Sequence, residues 1–164
     1  MPRSAALADF PVRGHDHAAC GAQALAEAED ICRRRGARLT ELRRRVLATI
    51  WEDHAPIGAY DILARLNAGG DRNAPMAVYR ALDFLMEHGL VHRLSSLNAY
   101  IGCRHAGRSH SGQFLICSRC NAVAEITSAA VSQTVARAAK ARGFAPLAEV
   151  VEVTGLCPNC KVGR

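Results

Sequence analysis

Two pairs of cysteines, each pair separated by two residues, constrain the fold of this chain more than any other feature of its sequence. The pairs are Cys117 with Cys120 and Cys157 with Cys160, and 36 residues lie between them. Two intervening residues let both sulfurs turn toward one ion, and two such pairs complete a tetrahedral thiolate site closed to substrate. The pattern predicts a structural zinc ion, whereas one pair alone would leave open a thioredoxin-type redox motif or inert buried thiols.

The composition fits a globular protein without disulfides. The 164 residues are 49% apolar and 22% charged, which excludes disordered, collagen-like and low-complexity chains. The chain has no apolar run of 18 residues, and Asp9 interrupts the stretch that a signal peptide would need. We therefore predict a soluble cytoplasmic protein of one large or two small domains, in which the odd number of cysteines serves metal or redox chemistry.

The net charge favours an anionic partner but does not place its binding surface. Twenty-one Lys and Arg against fifteen Asp and Glu give +6, which makes nucleic acid a plausible partner. Eight basic and three acidic residues follow Arg93, so +5 of this excess lies in the cysteine-rich half. Four thiolates on one dication would leave −2 there, and part of the basic excess therefore compensates a metal site.

The first half of the chain has the pattern of a winged helix. Apolar residues at helical spacing predict helices over 20–35, 41–51, 60–67 and 76–88, and two short apolar runs at 90–94 and 99–103 predict a hairpin. The second helix also carries a basic run, Arg43, Arg44 and Arg45. We interpret that run as a solvated face, with contact to DNA phosphates as the alternative.

The second half changes to a mixed α/β pattern. Strands are predicted over 114–116, 122–126 and 149–154, and a helix begins at Ser128. The short polar segment 104–110 contains Gly107 and is the natural hinge. The fold class is therefore α+β, with a first domain over 1–103 whose residues 1–19 are expected to be poorly ordered, the hinge, and a second domain over 111–164.

A second set of metal-binding residue types is distributed over four predicted elements. The set consists of His92, Cys103, His110 and Glu125. Nitrogen, sulfur and oxygen donors can form a four-coordinate site, and the single thiolate favours zinc over manganese. Spacing alone leaves surface or core roles open for each residue, and His105 is a rival ligand.

Several of these segments together resemble the ferric-uptake-regulator family. They are Ala-Val-Tyr-Arg-Ala-Leu-Asp-Phe-Leu at 77–85, Glu-His-Gly-Leu-Val-His at 87–92, the knuckle at 114–120 and the late cysteine pair. The resemblance covers nearly the whole chain, and within the family the chain looks like the zinc-uptake-regulator branch. It implies a winged-helix domain that binds operator DNA, a small α/β dimerisation domain with a four-cysteine zinc site, and zinc as corepressor.

The resemblance also assigns residues. It makes Cys117, Cys120, Cys157 and Cys160 the structural ligands, and it makes His92, Cys103, His110 and Glu125 the regulatory ligands, for two zinc ions per chain. Tyr79 and Arg80 match the family's DNA-contacting pair. Ala77 departs from the family, which has a hydroxyl residue there to cap the helix, so Asn73 is the residue available to substitute.

The implied function is a cytoplasmic zinc-sensing repressor of zinc-uptake genes that binds palindromic double-stranded DNA as a homodimer. No membrane partner and no small organic substrate are expected. An enzyme is the poorer reading, because neither a His-x-Glu or Cys-x-Glu triplet nor a His-Glu-x-x-His motif occurs. The alternative is a relative that senses iron, manganese or an oxidant through the same residues.

Overall fold

The computed structural model describes residue 10 and residues 17–53, 55–108 and 110–161. Apart from residue 10, these residues form two compact units, one from His17 to Arg108 and the other from His110 onward. The expectation for residues 1–19 falls on positions mostly outside the described residues, although residues 17–19 form the first turn of a helix. Among the described residues, no helix is both long and apolar enough to cross a membrane.

The first unit consists of four helices followed by a hairpin. They are α1 (His17–Arg34), α2 (Glu41–Trp51), α3 (Ala59–Asn67), α4 (Pro75–Glu87), β1 (Val91–Leu94) and β2 (Ala99–Gly102). The two strands are antiparallel, and Asn98 takes a positive φ of 46° in the turn between them. A helical cluster with such a hairpin is the layout that the sequence predicts.

Helix α2 is the centre of this unit because its apolar stripe faces several elements at once. Val46, Leu47 and Ile50 are at most 2% exposed, and the helix packs against α1, α3, α4 and β2. Trp51 at its end lies against Gly102, where a Cβ atom would collide with the indole ring. Only glycine therefore fits at the end of β2.

The second unit is a three-stranded sheet with one long helix. Its elements are β3 (Gly112–Cys117), β4 (Val123–Ile126), α5 (Ala129–Lys140), β5 (Val150–Gly155) and α6 (Pro158–Lys161). The strand order is β4-β3-β5, with β4 antiparallel and β5 parallel to the central β3. A parallel pair needs a crossover, which α5 supplies. The Ser128 hydroxyl caps α5 by accepting a hydrogen bond from the amide of Val131.

Three local features differ from the sequence predictions. Ala74, not Asn73, is the N-cap residue of α4, and the Asn73 side chain bonds instead to Asn67 Oδ1 at 3.0 Å. The segment expected to be a hinge contains Ala106, which is 8% exposed and belongs to the core of the first unit. Helix α6 has four residues, too few to show periodicity in the sequence.

Candidate metal centres and nucleic-acid interface

The two cysteine pairs meet in the second unit because their strands are neighbours. Cys117 ends β3 and pairs in parallel register with Gly155, two residues before Cys157. The four sulfur atoms of Cys117, Cys120, Cys157 and Cys160 all lie within 4.8 Å of one another. The β3–β5 ladder therefore brings together the two pairs that the sequence predicts to form one site.

Backbone amides make this cluster suitable for thiolates. The amide of Cys157 donates a hydrogen bond to Cys117 Sγ over 3.4 Å, and this bond lowers the pKa of Cys117 to about 6. Burial and the neighbouring cysteine sulfurs raise the pKa of Cys160 to about 12. Four crowded sulfurs cannot all carry charge by themselves, so the cluster needs a cation to hold them as thiolates.

The spacing of the sulfurs fits a tetrahedral zinc site. Zn–S bonds of about 2.3 Å place tetrahedral sulfurs about 3.8 Å apart. Cys120 Sγ and Cys157 Sγ are 3.7 Å apart, and none of the four cysteines is part of a disulfide. The donor set and this distance therefore fit zinc bound by four cysteines.

The first unit contains one pair of the second donor set. His92 lies on β1 opposite Ile101, and a ring nitrogen of His92 lies within 4.8 Å of Cys103 Sγ. Cys103 is 4% exposed, and its amide donates to the carbonyl of Leu90 at 3.0 Å. Among the described residues, His105 does not join this pair within that distance.

The second unit contains the other pair. His110 Nε2 and Glu125 Oε1 are 2.8 Å apart, with side chains 8% and 4% exposed. Glu125 lies on β4 opposite Phe114 of β3. Each unit thus positions a histidine nitrogen beside a cysteine sulfur or a carboxyl oxygen, a combination of donors that suits zinc.

Helix α4 presents the predicted DNA-contacting residues on one face. Val78, Ala81, Leu82 and Leu85 are buried, whereas Arg80 is exposed and Tyr79 is half-buried. Tyr79 lines a cleft of about 310 Å³ together with residues of α3 and of the hairpin. The polar rim of this cleft consists of Tyr60, Asp61, Asp83, Arg93 and Asn98.

Tyr60 is an exposed aromatic residue of the same cleft that the sequence analysis did not single out. It is the second residue of α3 and is 74% exposed, whereas Ile62 and Leu66 of the same helix are buried. An aromatic residue that follows a Pro-Ile-Gly turn and lies off the apolar stripe is the signal that could have identified it.

The basic run on α2 is engaged within the first unit. Arg43 donates to the carbonyl of Arg38 at 2.6 Å and lies 3.5 Å over the ring of Phe84. Arg44 pairs with Glu29, and Arg45 pairs with Asp71 at 2.7 Å. These contacts support a structural role for the run.

The second unit exposes large apolar side chains on α5, on β5 and in the connection between them. Val150 and Val153 on the edge strand β5 are 59% and 51% exposed. The others are Val135 on α5, Phe144 and Leu147 in the connection, and Leu156 directly after β5. We refer to these six residues as the α5–β5 face; Val150 and Val153 are three positions apart, so their side chains project from opposite sides of this edge strand.

Comparison with known proteins gives matches along most of the chain. The model of the ferric uptake regulator family matches residues 34–154. The zinc uptake regulation protein of Escherichia coli (strain K12) is 40% identical over 137 residues, which are 83% of this chain and 80% of that protein.

Two solved structures are similar along most of the chain. A zinc uptake regulator in complex with zinc and DNA is 38% identical with a TM-score of 0.82, and the match covers 87% of this chain and 95% of that one. Holo XcZur is 41% identical with a TM-score of 0.80, over 87% of this chain and 99% of that one.

Proposed function

The chain belongs to the ferric uptake regulator family, and on that premise we propose that it is a zinc-responsive transcriptional regulator that represses zinc-uptake genes. The observation that carries this proposal is the similarity along 87% of the chain to a zinc uptake regulator bound to zinc and DNA. The four cysteines of one donor set and the single cysteine of the other agree with zinc rather than with manganese. No catalytic role is proposed.

We assign Cys117, Cys120, Cys157 and Cys160 to a structural zinc ion. Zinc bound by four thiolates is coordinatively closed and contributes binding free energy directly to folding. The four residues come from the carboxyl ends of both strands of the parallel β3–β5 pair, so their common coordination would fasten the two strands together.

We assign His92, Cys103, His110 and Glu125 to a second, regulatory ion. Zinc bound there would be a Lewis acid coordinated by the neutral imidazoles of the two histidines, the thiolate of the cysteine and the carboxylate of the glutamate. Because His92 and Cys103 belong to one compact unit and His110 and Glu125 to the other, complete coordination requires both pairs. Zinc would therefore favour conformations of the chain in which both pairs can coordinate it. A ligand shifts the equilibrium between two conformations only by the difference between its affinities for them. This difference must reach about 5.5 kcal/mol to change their populations from 1:99 to 99:1.

The chain's own residues would perform the recognition of DNA. The exposed Arg80 guanidinium can donate two hydrogen bonds to guanine N7 and O6, and Tyr79 beside it can contact a phosphate or a thymine methyl group. A single helix covers only one half-site, so we propose that a homodimer binds a palindromic operator. The α5–β5 face offers the apolar surface for that dimer.

A metal-resolved DNA-binding experiment tests the function. The full chain, retaining its tightly bound zinc but stripped of exchangeable metal, is titrated with a duplex selected from random sequence by the zinc-supplemented protein. Fluorescence anisotropy is then measured after the addition of zinc, iron(II) or manganese(II), and after treatment with hydrogen peroxide. We expect zinc to induce high-affinity DNA binding at a lower concentration than iron(II) or manganese(II). Equal binding without added metal, or stronger activation by iron or manganese, would contradict the proposal.

A further inference from the structure

A cluster of hydrogen-bonded polar side chains connects β3, α5 and the start of β5 in the second unit. Gln113 on β3 is only 2% exposed, and its Nε2 donates to Ser132 Oγ at 2.8 Å. Ser132 donates to Glu149 Oε1 at 3.0 Å, and Ser111 Oγ lies 2.9 Å from Ser132 Oγ. The assignment of metal ligands and the DNA-binding face use none of these four residues.

The direction of each hydrogen bond in the cluster follows from the chemistry of the groups. The amide of Ser128 can only donate, which fixes the oxygen of Gln113 on its side at 3.0 Å and turns Nε2 toward Ser132. The Ser132 hydroxyl has one hydrogen to donate, and it donates that hydrogen to Glu149 Oε1. Ser111 must therefore donate to Ser132, whose donor and two acceptor positions are then all used.

Ser111 is the only member of this cluster that directly follows a proposed metal ligand. The β3–β5 ladder begins at Gly112, so strand pairing does not fix His110 and Ser111. Ser111 is instead attached through its side chain to Ser132 on α5, which Gln113 and Glu149 hold from two other elements. Gln113 is buried and the other three residues are half-buried, and hydrogen-bond networks shielded from water in which every member is satisfied favour a single geometry.

We propose that Ser132, oriented by Gln113 and Glu149, is a positioning residue that holds the His110–Ser111 segment in place for metal coordination. This inference rests on the proposed function, because it assumes that His110 is a ligand of the regulatory ion. Ser132 itself does not coordinate the ion. Residues that orient metal ligands typically change metal affinity by about 10- to 100-fold when they are removed.

Cobalt(II) binding to the full chain provides the test. The protein keeps its tightly bound zinc, and cobalt is titrated into the exchangeable site against a competing chelator, with its d–d absorption as the readout. We expect Ser132→Ala and Ser111→Ala to weaken cobalt binding by about 10- to 100-fold. Ser132→Thr, which keeps a hydroxyl, and Glu149→Gln, which keeps an acceptor, should restore most of the affinity.

Ser128→Ala is the matched control. It removes the side-chain cap of the same helix, but the cluster uses only the backbone amide and carbonyl of Ser128. We expect a lower melting temperature with unchanged cobalt affinity. If Ser132→Ala does not fold, Ser111→Ala carries the test by itself.

The outcomes separate the two proposals. If the wild-type protein binds cobalt, and Ser132→Ala, Ser111→Ala and Ser128→Ala all bind it as tightly as the wild type, only the positioning role is overturned. The same holds if Ser132→Thr binds cobalt as weakly as Ser132→Ala. A wild-type protein that takes up no cobalt beyond its tight zinc site would overturn the regulatory site, and the positioning role with it.

Discussion

The backbone amide of Cys157 donates a hydrogen bond to the sulfur of Cys117, a residue 40 positions earlier in the chain, over 3.4 Å. Cys117 ends β3, and Cys157 lies two residues past the end of the neighbouring parallel strand β5, at the end of the ladder where Cys117 pairs with Gly155. A parallel pair forms only after its crossover, here through α5, is in place. The geometry of the cysteine cluster and the fold of the second unit are therefore mutually dependent.

Replacing Cys120 with serine should remove the structural zinc and unfold the second unit. Structural zinc contributes apparent binding free energies of roughly 10–16 kcal/mol, whereas whole domains are stable by roughly 5–15 kcal/mol. Elemental analysis and thermal melting would measure the two effects. Cys20→Ser on α1 is the matched control and should leave both unchanged. A Cys120→Ser protein with full zinc content and a cooperative melt would contradict the assignment.

Arg80→Ala should weaken specific DNA binding by about 1–3 kcal/mol, because one bidentate contact to a base is lost. Arg80 is exposed, so dimerisation and zinc content should not change. Anisotropy titrations on the selected duplex and on base-substituted versions would show relaxed specificity at one position of each half-site. Arg33→Ala on the exposed surface of α1 serves as the control. Unchanged base preference would place the reading surface elsewhere.

Arg45→Ala should lower the free energy of unfolding by roughly 1 kcal/mol while leaving the salt dependence of DNA binding unchanged. Arg45 holds Asp71 and also donates to the carbonyl of Leu66 at 3.1 Å. Denaturant melts and the slope of log affinity against log salt measure the two effects. A slope reduced by about one unit would instead show that Arg45 neutralises a phosphate.

The elements of the fold could be predicted from the sequence because local signals specify them. Single elements are marked by local patterns, namely the apolar stripe of α2, Pro75 at the start of α4 and the β-branched run of β5. The spacing of the two cysteine pairs predicts that they form one site. Helix α1 begins at His17, three residues before the predicted start. The periodic apolar residues that predict this helix begin at Leu25, so periodicity does not define its first turn.

The contacts between distant residues could not be predicted in the same way. The sequence shows three consecutive arginines on α2, but their partners Glu29, Phe84 and Asp71 lie on other parts of the chain. Asn73 likewise has the residue type of a cap, yet the tertiary structure offers it Asn67 instead. Residue type states what a side chain can bind, and only packing decides which neighbour it meets.

Val153→Asp should convert the proposed homodimer to monomers without loss of the zinc that we assign to the four cysteines. Val153 lies on the edge strand β5 and is 51% exposed, and an unpaired carboxylate within an apolar interface commonly costs roughly 2 kcal/mol or more of association free energy. Sedimentation velocity would detect the change. Val153→Thr keeps the shape of the side chain and should remain dimeric. A Val153→Asp protein that stays dimeric at the wild-type concentration would exclude the α5–β5 face as the interface.

Cys103→Ser should keep the structural zinc and the dimer but lose zinc-dependent DNA binding. A hydroxyl is a poor zinc ligand beside a thiolate, so the remaining donors His92, His110 and Glu125 should bind zinc at least tenfold more weakly. By reciprocity, the selected duplex should tighten regulatory zinc binding in the wild type by the factor by which zinc tightens DNA binding, and this coupling should vanish in the variant. Zinc titrations with and without the duplex measure this coupling. Cys20 lines the same cavity as Cys103, so Cys20→Ser is the control. If Cys103→Ser retains an unchanged zinc midpoint, Cys103 is not a ligand, and His105 becomes the next residue to substitute.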